Sequence, residues 1–280
     1  QGKKLKGGAV HLPADVSSQY ISALLLLGPV LEQGVELYLE GKITSVPYIK
    51  MTLALLNNFG VSTAFQGQHI RVEHQSQPKK TLQVVESDWS SASYFFSIAA
   101  LSEEATIHLE SYKQESLQGD SVLRSIYKEL GVNSRFEGHR LILTKEKIKL
   151  PERIQWDLSE APDIAQTIAV SCYGLGIGCD LKGLHTLKIK ETDRLVALDT
   201  ELTKLGATLS VTEHSLHLSP GANFIKDSAI PTYNDHRMAM AFAPLALKIP
   251  LSIEDAEVVS KSYPSFWEDL HQLHFQIKEI

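Results

Sequence analysis

Apolar stretches of helical length follow Asp15, Asp88, Asp163 and Asp235, at intervals of 73, 75 and 72 residues. They read Val16-Ser-Ser-Gln-Tyr-Ile-Ser-Ala-Leu-Leu, Trp89-Ser-Ser-Ala-Ser-Tyr-Phe-Phe-Ser-Ile, Ile164-Ala-Gln-Thr-Ile-Ala-Val and His236-Arg-Met-Ala-Met-Ala-Phe-Ala. An acidic or hydroxyl side chain at such a start satisfies unpaired N–H groups and suits the positive end of the helix dipole. Helices this apolar on nearly every face are expected to be buried.

The intervals repeat as well. A short strand-like run comes next (Val35 to Leu39, Thr106 to Leu109, Cys179 to Leu181), then an amphipathic helix. Its apolar stripe is Ile49, Leu53 and Leu56 in the first copy. In the second it is Leu123, Ile126 and Leu130, and in the third Leu195, Leu198, Leu202 and Leu205. Each helix stops at a glycine, Gly60, Gly131 or Gly206. Hairpins follow around Gly67-Gln68, Glu137-Gly138-His139 and Glu213-His214. The unit is helix, strand, helix, strand, strand. At about 73 residues it exceeds the 20 to 50 of a solenoid repeat, so it is expected to form one face of a globular domain. A break in the pattern at Pro78-Lys79-Lys80 places the hinge between domains near Gln77 to Ser87.

Composition narrows the class. With 280 residues, 43% apolar and 21% charged, the chain has material for a real core and for about two domains. A balance of 27 basic against 33 acidic residues argues against nucleic acid as partner, yet leaves room for a small anion in a locally cationic cleft. Two cysteines, Cys172 and Cys179, make no disulfide framework and no zinc spacing. The chain has no apolar run of bilayer length, the longest lying near Leu24 to Val30. A cytoplasmic-type globular protein is expected. The start at Gln1 does not look natural, and a piece of a longer chain is expected.

Four polar clusters exceed what packing needs. Asp15-Val-Ser-Ser-Gln, at a helix start, is either a plain cap or an anion site made of N–H groups and hydroxyls; Asp88 to Ser91 reads as a plain cap. In Lys188-Ile-Lys-Glu-Thr-Asp-Arg, Lys190 and Arg194 stand four apart, as on one helix face. Two cations in a first turn oppose the dipole, so an anionic ligand competes evenly with a solvated turn. Tyr233-Asn-Asp-His-Arg places an arginine fork, suited to phosphate or carboxylate, beside a buried face. Lys261-Ser-Tyr-Pro is a loop lysine, ordinarily just surface.

In order along the whole chain, Asp15-Val-Ser-Ser-Gln-Tyr, Ser45-Val-Pro-Tyr-Ile, Asp88-Trp-Ser-Ser-Ala-Ser-Tyr-Phe, Pro162-Asp163, Lys190-Glu-Thr-Asp-Arg-Leu, Tyr233-Asn-Asp-His-Arg-Met-Ala-Met and Lys261-Ser-Tyr-Pro resemble the 5-enolpyruvylshikimate-3-phosphate (EPSP) synthase family. The resemblance implies an α/β (α+β) fold, the inside-out α/β barrel of βαβαββ units. About four of six units would be present, with residues 1–86 closing one domain and residues 87–280 forming most of the other. It implies transfer of the enolpyruvyl group of phosphoenolpyruvate to the 5-hydroxyl of 3-phosphoshikimate, by a monomer without metal or organic cofactor, and without nucleic acid or membrane partners. Ser17, Ser18, Gln19, Ser45 and Tyr48 would face shikimate 3-phosphate. Arg194, His236, Arg237 and Lys261 would serve binding on the phosphoenolpyruvate side. Asp163, Glu191 and Lys190 match acid–base positions, their division of labour open.

Departures are Ala14 where glycine is frequent, Val46 where lysine is common, and Thr186 where asparagine occurs. Impaired activity is expected if front units are absent. The alternatives are a UDP-N-acetylglucosamine enolpyruvyl transferase and a non-catalytic anion-binding module. Asn-Asp-His-Arg-Met-Ala-Met and Ser-Ser-Gln favour the shikimate enzyme.

Overall fold

The computed structural model describes residues 2–14, 17–41, 43, 46–77, 79–226 and 228–279; Asp15, Ser45 and Pro78, singled out above, lie outside them. The chain divides into two compact units, residues 1–86 with 115–121, and residues 87–114 with 122–280.

The first unit runs β1 (Gly8–Pro13), α1 (Ser18–Leu27), β2 (Val35–Glu40), α2 (Val46–Asn58), β3 (Thr63–Gln66) and β4 (His69–Val72), with sheet order β1-β2-β4-β3. β1 and β2 are parallel, and their last residues, Pro13 and Glu40, are register partners. Both helices therefore begin at the same edge of the sheet. Ile21, Leu25, Leu37, Ile49, Leu53 and Ile70 form the core.

The second unit begins with α3 (Trp89–Leu101), β5 (Thr106–Leu109), α4 (Leu123–Glu129), β6 (Val132–Glu137) and β7 (Arg140–Lys145), an antiparallel sheet ordered β5-β7-β6. Next come β8 (Arg153–Asp157), α5 (Ala165–Leu175), β9 (Gly178–Lys182), α6 (Arg194–Lys204), β10 (Leu209–Val211) and β11 (Ser215–Leu218), ordered β8-β9-β11-β10. The first unit's topology is thereby repeated, with β8 parallel to β9. Finally β12 (Ala229–Ile230), α7 (His236–Phe242), β13 (Ser252–Ile253) and α8 (Phe266–Gln272) add a small parallel pair. The expected glycine stops are present: at Gly206, φ is 100°, and a Cβ there would lie 2.2 Å from the Asn223 carbonyl oxygen.

The apolar helices divide by environment. α3, α5 and α7 pack on one another and are buried on nearly every face. α1 is not: only Ile21 and Leu25 are buried, and Tyr20 is 68% exposed. Within its own unit α1 has one sheet and one helix to lie against, so the expectation of all-round burial fails there.

The α3–α5 contact joins equivalent positions of the repeat. Ser93 and Thr167 hydroxyls lie 3.1 Å apart, and Ser171 Oγ lies 2.8 Å from Ser97 Oγ and 2.8 Å from the Tyr127 hydroxyl, all buried. Small hydroxylated residues let the helices approach closely, and each polar atom finds a partner. Replacing Ser171 with alanine removes two of these buried side-chain contacts, so the loss expected from urea unfolding is about 1–3 kcal/mol.

Candidate active site

Connections leaving the carboxyl ends of parallel strand pairs carry the polar clusters, the edge where α/β sheets commonly bind ligands. After β8, a 3-10 turn at Pro162–Ile164 precedes α5, so Asp163 is not the helix cap. Its carboxylate is free to meet cations. After β9, another 3-10 turn, His185–Ile189, ends at Lys190, and α6 starts at Arg194 behind the cap Asp193. Lys190 thus precedes the helix, and the shared face expected for Lys190 and Arg194 does not exist. They meet instead at Asp163.

Arg194 is the centre of the cluster. It is 1% exposed. Its Nε donates to Asp235 Oδ2 at 2.6 Å, Nη1 to Asp163 Oδ1 at 2.9 Å, and Nη2 to Glu191 Oε2 at 2.7 Å and Asp235 Oδ1 at 3.3 Å. Lys190 Nζ lies 3.2 Å from Asp163 Oδ1. Arg237 Nη2 lies 3.6 Å from Asp163 Oδ2 and donates to Ser90 Oγ at 3.3 Å. Burial pushes the Asp163 carboxyl up, but Arg237, Lys190 and Arg194 outweigh it and hold the group well below the usual carboxylate range.

After β12, residues Tyr233 and Asn234 lead into α7 with φ of 55° and 58°. Asp235 caps that helix, accepting from Arg237 N at 2.9 Å while also holding Arg194. His236 is nearly buried, and its Nδ1 has no hydrogen-bond partner. Burial, then the Arg237 charge, lowers the His236 value and favours the neutral ring. Lys261 Nζ donates to the Asn234 carbonyl at 2.7 Å and to Asn234 Oδ1 at 2.8 Å.

Asp163, Lys190, Glu191, Arg194, His236, Arg237 and Lys261 are therefore assembled in the second unit. Ser17, Ser18, Gln19 and Tyr48 form a separate group in the first. Ser17 caps α1, accepting from Gln19 N at 3.4 Å. Tyr48 lies in the first turn of α2, whose Thr52 donates to Ser22 Oγ of α1 at 2.9 Å. The sequence pattern missed two partners. Asp235 was assigned only a cap, although one carboxylate has acceptors enough for a cap and an arginine. Ser90 belonged to a plain cap motif, and Asp88 does orient its hydroxyl at 2.7 Å.

Two outcomes follow from this geometry. Arg194→Met leaves Asp235, fully buried, without its cation, and urea unfolding is expected to show a loss of about 3–5 kcal/mol. Asp163 has a folded-state value below its unfolded one. Its stabilisation is therefore present above the ordinary aspartate value of about 3.9 and is lost as pH falls further. The stability gap between wild type and Asp163→Asn is expected to be open at neutral pH and to close on acidification.

A family model described as EPSP synthase (3-phosphoshikimate 1-carboxyvinyltransferase) matches residues 1–270. A 3-phosphoshikimate 1-carboxyvinyltransferase of Bacteroides fragilis is 45% identical over 284 residues, covering 99% of this chain and 68% of that protein. One from Serratia proteamaculans is 33% identical, covering 96% and 62%. Among solved structures, EPSP synthase from Acinetobacter baumannii superposes with a TM-score of 0.74 at 24% identity, covering 97% of this chain and 63% of that one. The chain thus spans between three fifths and seven tenths of the length of these relatives. Matched over nearly its whole length by the family model and by these relatives, the chain belongs to the EPSP synthase family.

Proposed function

We propose that the chain takes part in transfer of the enolpyruvyl group from phosphoenolpyruvate to the 5-hydroxyl of 3-phosphoshikimate, with release of phosphate. The second unit supplies the phosphoenolpyruvate contacts and the proton-handling groups. The first supplies contacts to shikimate 3-phosphate through Ser17, Ser18, Gln19, Ser45 and Tyr48. The observation that carries this reading is the gathering of Lys190, Arg194 and Arg237 around the one carboxylate of Asp163.

The cations differ in how firmly they are held. Arg194 is committed to three carboxylates, and its four hydrogen bonds leave one Nη1–H for a ligand. Arg237 reaches Asp163 Oδ2 at 3.6 Å and Ser90 Oγ at 3.3 Å, and its planar fork suits an incoming carboxylate or phosphate bidentately. His236 Nδ1 and the Lys261 ammonium stand at the same helix start and complete the anion contacts.

The reaction adds the 5-O–H of 3-phosphoshikimate across the enolpyruvyl double bond. A new O–C2 bond forms while C3 receives a proton; C3 then loses a proton as phosphate leaves. Asp163, held ionised, is suited to accept a proton, and its basicity rises once a ligand anion draws Arg237 and Lys190 away. Glu191 has a 40% exposed side chain and one guanidinium contact, so it reaches a substrate with the least disruption. Lys190 bridges towards Asp163 as proton partner.

Phosphate release from phosphoenolpyruvate is expected to require shikimate 3-phosphate, and Asp163→Asn is expected to lower it about 10²–10⁴-fold. Release dependent on a UDP-sugar in place of shikimate 3-phosphate would overturn the reading. Arg237→Ala is expected to weaken phosphoenolpyruvate binding, measured by calorimetry, about tenfold or more with little change in unfolding midpoint.

A further inference from the structure

α6 grips the turn before α7 at two points. Arg194, its first residue, holds Asp235, and Glu201, two helical turns later, accepts a 2.6 Å hydrogen bond from the Tyr233 hydroxyl. Residues seven apart on a helix lie about 10 Å apart along its axis, whereas Tyr233 and Asp235 are two apart in the turn. The long Tyr233 side chain spans the difference. Between these clamps, Tyr233 and Asn234 both take left-handed backbone, the only adjacent non-glycine pair to do so among the described residues. Asparagine tolerates this region, but a bulky residue such as tyrosine rarely enters it. Such a conformation persists only where the surroundings hold it. It presents the Asn234 carbonyl and Oδ1 together to Lys261 Nζ.

The Glu201 carboxylate is itself fixed, 1% exposed and ion-paired with Lys204. Burial, then the adjacent carboxylate, pushes the Tyr233 phenol up to about 12, so it remains the donor at ordinary pH.

We propose that Tyr233 and Glu201 are positioning residues: their hydrogen bond locks the left-handed Tyr233–Asn234 turn, which fixes where Lys261 meets the phosphoenolpyruvate anion. The ligand in this statement rests on the function proposed above; the positioning of Lys261 does not. Tyr233 is partly exposed and packs no core, so removing its hydroxyl leaves the fold intact while freeing the turn.

The test reads Lys261 directly. Under limiting acetylating reagent, with peptide mass spectrometry, wild-type Lys261 is expected to react more slowly than the exposed Lys147. In Tyr233→Phe and Glu201→Ala its rate is expected to rise about fivefold or more, as expected for loss of a hydrogen bond to a charged group. Glu201→Gln keeps the acceptor oxygen and is expected to stay near wild type. Phosphoenolpyruvate affinity, by calorimetry, is expected to fall with the same pattern, and in Tyr233→Phe the melting temperature barely moves. A lower melting temperature with unchanged Lys261 reactivity would make the bond merely structural and overturn the proposal, as would no response at all. Should wild type bind no phosphoenolpyruvate while Lys261 still responds, the ligand reading fails and the positioning stands.

Discussion

A guanidinium cannot shed its proton and cannot accept a hydrogen bond, so burying one obliges the fold to bring acceptors to it. Desolvation costs several kcal/mol per ion unless geometry and hydrogen bonds compensate. Arg194 meets that demand with carboxylates from three places: the turn before α5, its own preceding loop, and the cap of α7. The requirement to satisfy one side chain therefore fixes the mutual placement of three connections that sequence keeps apart. Asp163 and Glu191 are held in place because Arg194 needs their carboxylates.

The cluster is internally balanced, three cations against three carboxylates, in a chain whose formal charge is −6. Its capacity to take an anion does not come from surplus positive charge. It comes from unequal commitment. Arg194 is enclosed, with all but one of its N–H groups committed, while Arg237 and Lys190 hold Asp163 at longer range with part of each side chain exposed. On the proposed function, a ligand anion would compete with Asp163 for Arg237 and Lys190, and each contact it took would relieve the depression of the Asp163 value, coupling binding to basicity through that carboxylate.

The repeat was readable because binary pattern and glycine stops are local: strand-like runs, apolar stripes at three and four, and hairpin turns all fall where expected. What failed needed tertiary information. All-round burial of α1 depends on neighbours its own unit does not supply. Whether Lys190 stood inside α6 or before it depended on Asp193 taking the cap. The second use of Asp235 and the reach of Arg237 to Ser90, 147 residues away, leave no mark in local pattern. The roles proposed for Asp163 and Glu191 rest on motif resemblance, since a lone carboxylate carries no signature.

The repeat also explains why one copy contributes so little. Parallel pairs β1–β2, β8–β9 and β12–β13 each send two connections from the same edge, and the candidate residues sit on those connections. The copy containing α3 has an antiparallel sheet only, β5-β7-β6, among the described residues. Its helix start, Asp88 to Ser91, has the sequence of a site but no parallel neighbour to converge with, and it supplies the single hydroxyl of Ser90. Similar motifs thus acquire different roles according to whether a parallel partner strand brings a second helix start beside them. The polar residues supply the chemistry, and strand pairing selects which of them are brought together.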